Sequence, residues 1–196
     1  MTIYQKLFIG GEWRTPNSVE VCSVINPATE KVVGEIPLGN ATDVEQAVIA
    51  ANEAFPRWST LAPQERAGYL RKIHSGLIER SVEVAELISA EMGMPRKLSQ
   101  RIQAGLPVAV LDSYIQLLET YEFTEKIGNS VIHKEPIGVV AAITPWNFPL
   151  HQLMIKVAAA LAAGCTIIVK PSEIAPLNAF LLTEIIDTCK LPPGVF

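Results

Sequence analysis

Apolar positions along this chain change period twice, and each change marks a different kind of structure. At the start they fall in short runs. Lys6–Ile9 and Glu12–Arg14 flank Gly10-Gly11, and two short strands around two glycines predict a β-hairpin. Asn26-Pro27-Ala28-Thr29 reads as a turn, Lys31–Ile36 as a strand, and Pro37-Leu38-Gly39 as its stop. From Thr42 the period lengthens. Thr42-Asp43-Val44-Glu45 has the form of a capping box, and Val44, Ala47, Val48, Ala51 and Phe55 repeat at helical spacing. A second helix is predicted to open at Pro63 and run through Leu70, Ile73, Leu77 and Val84 to Met92, where Gly93 and Pro95 stop it. A third follows Pro95, carries Leu111, Tyr114, Ile115 and Leu118, and bends or breaks at Pro107.

The second change comes after residue 120. Ser130–Lys134 reads as a strand, and Ile137–Ile143 as a strand buried on both faces, apolar throughout in the manner of parallel sheets. Pro149–Ala163 is an alanine-rich helix ending at Gly164, Cys165–Val169 a further buried strand, and Ala175–Cys189 a further helix. Strand, helix, strand, helix is a βαβα unit, so the fold class is α/β with a parallel sheet. Val195-Phe196 reads as the start of a third strand. The sheet is therefore expected to be incomplete within this sequence.

Composition adds to this picture. Apolar residues make up 49% of the 196 and charged residues 18%, against about 25% charged in an average soluble domain. Such a chain has a large core, or faces meant to be covered by further polypeptide. The net charge of −4 is spread without a basic block, which excludes the phosphate-binding stripe of a nucleic-acid partner. Cys22, Cys165 and Cys189 have no disulfide, redox or metal spacing, so a reduced, cytoplasmic chain is expected. The first residues lack the pattern of a signal peptide. Ile137–Ile155 has no Asp, Glu, Lys or Arg, but Pro145 and Pro149 divide it into strand, turn and helix rather than one membrane span.

Open parallel sheets gather ligands at the carboxyl ends of their strands. Thr144-Pro145-Trp146-Asn147-Phe148-Pro149 and Lys170-Pro171-Ser172-Glu173 hold those positions. Lys170 and Glu173 suit a polyhydroxyl group such as a ribose, the carboxylate accepting from vicinal hydroxyls; equally, they suit a solvated pair near a helix start. Asn147 is either a cap for the helix that begins at Pro149 or a neutral donor to a developing oxyanion, a role worth about 3 kcal/mol. Trp146 reads as a packing residue. Lys156 breaks an apolar helix and either snorkels to solvent or faces the ligand crevice. There is no Gly-x-Gly-x-x-Gly fingerprint, Walker loop or Gly-x-Ser-x-Gly elbow, and His74, His133 and His151 lack ligand spacing, so no metal site is expected.

Pro145-Trp146-Asn147-Phe148-Pro149 followed by Lys170-Pro171-Ser172-Glu173 resembles the aldehyde dehydrogenase superfamily. Phe8-Ile9-Gly10-Gly11-Glu12-Trp13, Asn26-Pro27-Ala28-Thr29 and Glu135-Pro136-Ile137-Gly138-Val139 match its landmarks in order, so the resemblance covers essentially the whole chain. It implies that residues 1–196 are the N-terminal portion of a Rossmann-like NAD(P)-binding domain, with 124–137 part of an oligomerisation arm. It implies Asn147 as oxyanion donor, Lys156 as an aid to proton movement, and Ile143, Thr144, Pro145, Trp146, Lys170, Ser172 and Glu173 as cofactor-binding residues. NAD is the implied cofactor because the Glu173 carboxylate would repel a 2′-phosphate, with NADP left possible. The implied whole enzyme is a homo-oligomer oxidising an aldehyde to a carboxylate. The family's glycine-rich segment, general-base glutamate and nucleophilic cysteine have no counterpart in this sequence. The chain alone is therefore expected to be inactive and to bind NAD weakly or not at all. The alternative is a non-catalytic interaction protein that pairs with full-length homologues.

Overall fold

The computed structural model describes residues 1–196. β1(Thr2–Ile3) is followed by the predicted hairpin, β2(Leu7–Ile9) and β3(Glu12–Arg14), with Ile9 opposite Glu12. Gly10 and Gly11 have φ of 64° and 81°, the two positive values that a type I′ turn demands and that glycine meets at no steric cost. β4(Val21–Ile25) runs antiparallel and β1 parallel to β5(Val32–Pro37), giving the order β1-β5-β4. The hydrophobic pattern misses β4 because both its faces are largely apolar. Cys22 and Val24 turn inward, while Val21 and Ile25 are exposed.

α1(Ala41–Ser59) begins earlier than the Thr42–Glu45 pattern suggests. Asn40 is the cap: its side chain accepts from the amides of Thr42 (3.0 Å) and Asp43 (3.3 Å), and Asp43 accepts in return from the Asn40 amide at 2.8 Å. Asp43 also receives the Asn17 amide at 2.9 Å and its carboxamide at 2.8 Å, which tethers the preceding loop. The buried stripe is Ala51, Ala54 and Trp58, whereas Val44 and Val48 face solvent.

The predicted long second helix is two, α2(Pro63–Glu79) and α3(Ser81–Met92). Arg80 interrupts them, held by Glu83 at 2.7 Å and Glu184 at 2.8 Å. The break is invisible to periodicity because Leu77 and Val84, on either side of it, are both buried. α4(Arg96–Ser99), a π turn over Gln100–Ala104, and α5(Gly105–Thr120) form the third helical segment. The irregularity expected at Pro107 takes the form of that widened turn just before it.

β6(Thr124–Ile127) and β7(Ser130–His133) form an exposed antiparallel hairpin. β8(Val139–Ile143) pairs in parallel with β9(Thr166–Lys170), and α6(Pro149–Ala163) makes the crossover. α7(Leu177–Cys189) follows. β8 is shorter and more open than a strand covered on both faces: Ile137 precedes it at 89% exposure, and Ile143 ends it at 72%. Val195-Phe196 is not a strand, yet the Val195 carbonyl accepts the Ile167 amide at 3.0 Å along β9. The main core lies between α2, α5, α6 and α7, with Leu70, Ile73, Leu111, Met154 and Leu161 wholly enclosed. Arg66 is buried there, donating from Nε to the Ala162 carbonyl at 3.0 Å and lying over the Phe123 ring. The N-terminal sheet packs on α7 through Val24, Ile36, Leu177 and Phe180. No helix is long and apolar enough to cross a membrane.

Candidate functional site

The register of β8 on β9 sets Ile143 beside Lys170. The two strands thus end level, and the Thr144 amide donates to the Lys170 carbonyl at 3.2 Å. Thr144 is itself buried. Both sequence motifs consequently emerge side by side at one edge of the sheet. The mixture of Ile, Val and Ala in the strands supplies the apolar seats, and the prolines at 145 and 171 end each strand by removing the next ladder donor.

In the first loop Pro145, Trp146 and Asn147 are exposed. Trp146 stands 47% accessible, so it is not the packing residue the sequence suggests. Asn147 does not cap α6 either. Phe148 occupies the cap position without a side-chain hydrogen bond, and Pro149 opens the helix. The Asn147 carboxamide makes no hydrogen bond within the chain, while its main-chain oxygen accepts Gln103 Nε2 at 3.4 Å. Gln103, wholly buried in the π turn, also lies 3.3 Å from the Met92 sulfur. Sequence reading missed it. Nothing distinguishes a glutamine among Ser99, Gln100 and Arg101 until the widened turn directs it inward.

In the second loop Lys170 Nζ donates to Glu173 Oε2 at 2.7 Å. That bond holds the Glu173 carboxyl below its ordinary pKa. Both side chains remain about 60% accessible, so the pair is a solvated one that a ligand can reach. Ser172 Oγ accepts the Ile174 amide at 3.2 Å and shapes the turn. Lys156 does not join either loop: its Nζ reaches back along α6 to the Gln152 carbonyl at 3.2 Å.

A buried carboxylate underlies the second loop. Glu91, at the end of α3, accepts from the amides of Leu177 (2.7 Å) and Asn178 (3.1 Å) and from the Asn178 carboxamide (2.6 Å). It thereby caps α7, whose own Pro176 offers no side-chain cap. Burial raises its pKa to about 7, against the opposing pull of those donors. Nothing in the sequence marked it, because Glu91 sits in an ordinary helical pattern.

A parallel strand-helix-strand unit with its free polar groups at the strand ends is an open α/β sheet of the ligand-binding type. The chain belongs to the aldehyde dehydrogenase family, whose profile matches residues 13–196. A 3-succinoylsemialdehyde-pyridine dehydrogenase from a Pseudomonas species is 43% identical over the whole of this chain. Aldehyde dehydrogenase C of Pseudomonas syringae, solved with NAD+ and octanal as a cysteine-to-alanine variant, superposes with a TM-score of 0.96 at 46% identity, over 98% of this chain and 40% of its own. A Mycobacterium tuberculosis aldehyde dehydrogenase solved with NAD+ gives 0.95 at 37% identity, over 99% and 41%. The chain spans about 41% of the length of the curated relative.

Proposed function

We propose that this chain is the N-terminal portion of the cofactor-binding domain of an NAD(P)-dependent aldehyde dehydrogenase. In this reading it supplies the oxyanion donor and half of the dinucleotide crevice. The supporting observation is the level ending of β8 and β9, which puts Asn147 and the Lys170–Glu173 pair on one edge. The residues present fit part of a dinucleotide. The solvated Lys170–Glu173 pair offers a donor and an acceptor to a ribose, and the exposed residues Ile143, Pro145 and Trp146, on either side of the buried Thr144, offer a surface beside it. When bound, NAD supplies the hydride acceptor. Glu173 accepts from vicinal hydroxyls and opposes a 2′-phosphate, which favours NAD over NADP. The free Asn147 carboxamide donates to the oxygen of a carbonyl under attack, a contact that strengthens as charge develops there. Lys156 serves proton movement only if its side chain leaves the Gln152 carbonyl.

The thiol that attacks the aldehyde is not among these residues. Cys165 precedes β9, at the opposite end of the strand from Lys170, and Cys189 is buried at the end of α7. Cys22 lies against the Ser23 and Glu173 carbonyls at 3.7 and 3.9 Å. Three free cysteines fit a reduced, cytoplasmic setting. The β6–β7 hairpin, with Ile127, Val131 and Ile132 exposed, suits an arm over 124–137 that pairs with another subunit of a homo-oligomer. The same hairpin favours a second reading, a non-catalytic partner of full-length homologues. Mixed with an aldehyde and NAD, the chain alone is expected to form no NADH above background. Turnover that persists after Cys22, Cys165 and Cys189 are all replaced by alanine would overturn this reading.

A further inference from the structure

We infer that Gln103 is a positioning residue for Asn147, and that the π turn over Gln100–Ala104 serves to deliver it. The inference rests on the assignment of Asn147 as oxyanion donor. Three observations converge on it. First, Gln103 is wholly buried, a costly place for a carboxamide with four hydrogen-bonding positions. Second, its polar atoms are poorly served by the core: Oε1 has no partner, and Nε2 has only the Met92 sulfur and the Asn147 carbonyl. A residue kept only for packing would be better as a leucine or methionine, which leaves nothing unsatisfied. Third, the one irregular helical turn in the chain is the one that carries this side chain. Such turns recur at functional sites because they redirect a side chain that a regular helix would aim elsewhere.

The geometry explains what the contact does. Asn147 is exposed, and its side chain makes no hydrogen bond within the chain. Pro145 and Pro149 on either side lack amide hydrogens that could anchor the loop. The Gln103 donor to the Asn147 carbonyl is therefore the tie that fixes this residue's backbone from beneath. With the peptide held, the carboxamide projects from one place at the sheet edge. Without the tie, the loop from Thr144 to Phe148 samples several arrangements and the donor is seldom in place.

The test uses the 196-residue chain with Gln103→Met and Gln103→Leu, which keep the volume and remove the polar atoms, and with Gln103→Glu, which keeps the shape and puts an acceptor against a carbonyl. Amide exchange is read at Gln152, whose N–H bonds to the Phe148 carbonyl in the first turn of α6, together with the side-chain NH2 signals of Asn147. In the two apolar variants, exchange at Gln152 is expected to quicken about five-fold and the Asn147 signals to shift. The core amides of α2 and α7 should keep their protection, and the thermal midpoint should hold or rise. Gln103→Glu should loosen the loop further. Unchanged Gln152 and Asn147 signals in both apolar variants would refute the inference, as would a loss of protection spread evenly over the chain, which marks a merely structural residue. Amide shifts on adding NAD that centre away from residues 143–147 and 170–173 would instead count against the functional reading and leave the positioning result standing.

Discussion

Glu91→Leu is expected to destabilise the chain by about 2–4 kcal/mol, with the loss centred on the start of α7. The substitution leaves the amides of Leu177 and Asn178 without acceptors and removes one of two acceptors from the Asn178 carboxamide. All are buried, so water cannot replace the Glu91 carboxyl oxygens. Glu91→Gln separates the charge from the shape. The Glu91 carboxyl has a folded pKa of about 7 against an ordinary 4.5, so folding favours its protonated form. Its contribution is then fully present below pH 4.5 and is lost as the pH rises through 7. Urea midpoints of the native chain, compared with those of Glu91→Gln, should show the native chain losing ground between pH 5 and 8, by up to about 3 kcal/mol. A flat difference over that window would mean that the helix-start donors, not burial, govern this group.

Gly194→Ala is expected to be comparably damaging, costing about 2–4 kcal/mol. Gly194 has a φ of 84°, a left-handed value that an alanine adopts only under strain. A methyl group there would also overlap the Ala50 carbonyl and crowd the Ala54 side chain on α1. The next residue, Val195, is fully buried and accepts the Ile167 amide on β9. β9 is tied to α1 as well, through Thr166 Oγ1 and the Ala51 carbonyl at 3.0 Å. The turn cannot shift without opening the side of the strand that carries Lys170. Chemical denaturation measures the loss; a change below about 0.5 kcal/mol, the level of an unconstrained surface site, would show that the turn relaxes freely.

These sites show what a sequence reveals and what it hides. The hairpin at Gly10-Gly11, the βαβα order, and the Asn147 and Lys170–Glu173 loops were legible because local chemistry encodes them: paired glycines, unbroken apolar strands and prolines that end them. The break at Arg80 is hidden, since the buried positions continue across it and one of the two partners that hold Arg80, Glu184, lies far along the chain. The α1 cap is ambiguous in the sequence because Thr42–Glu45 and Asn40–Asp43 offer competing boxes; the second forms, and Asn17, distant in sequence, donates to the same Asp43 carboxylate. β8 was expected to be covered on both faces, yet this chain leaves Ile143 largely open. Gln103 and Glu91 were unreadable for one reason. Each is a common helical residue whose significance comes from a backbone contact with a segment distant in sequence.

In the proposed function, the ends of β8 and β9 form half of a dinucleotide site. Titration of the isotope-labelled chain with NAD tests this directly. Weak binding is expected, with amide shifts confined to residues 143–147 and 170–173, and lost when Lys170 and Glu173 are replaced by alanine. Shifts centred elsewhere, or sub-micromolar affinity that survives those replacements, would contradict it.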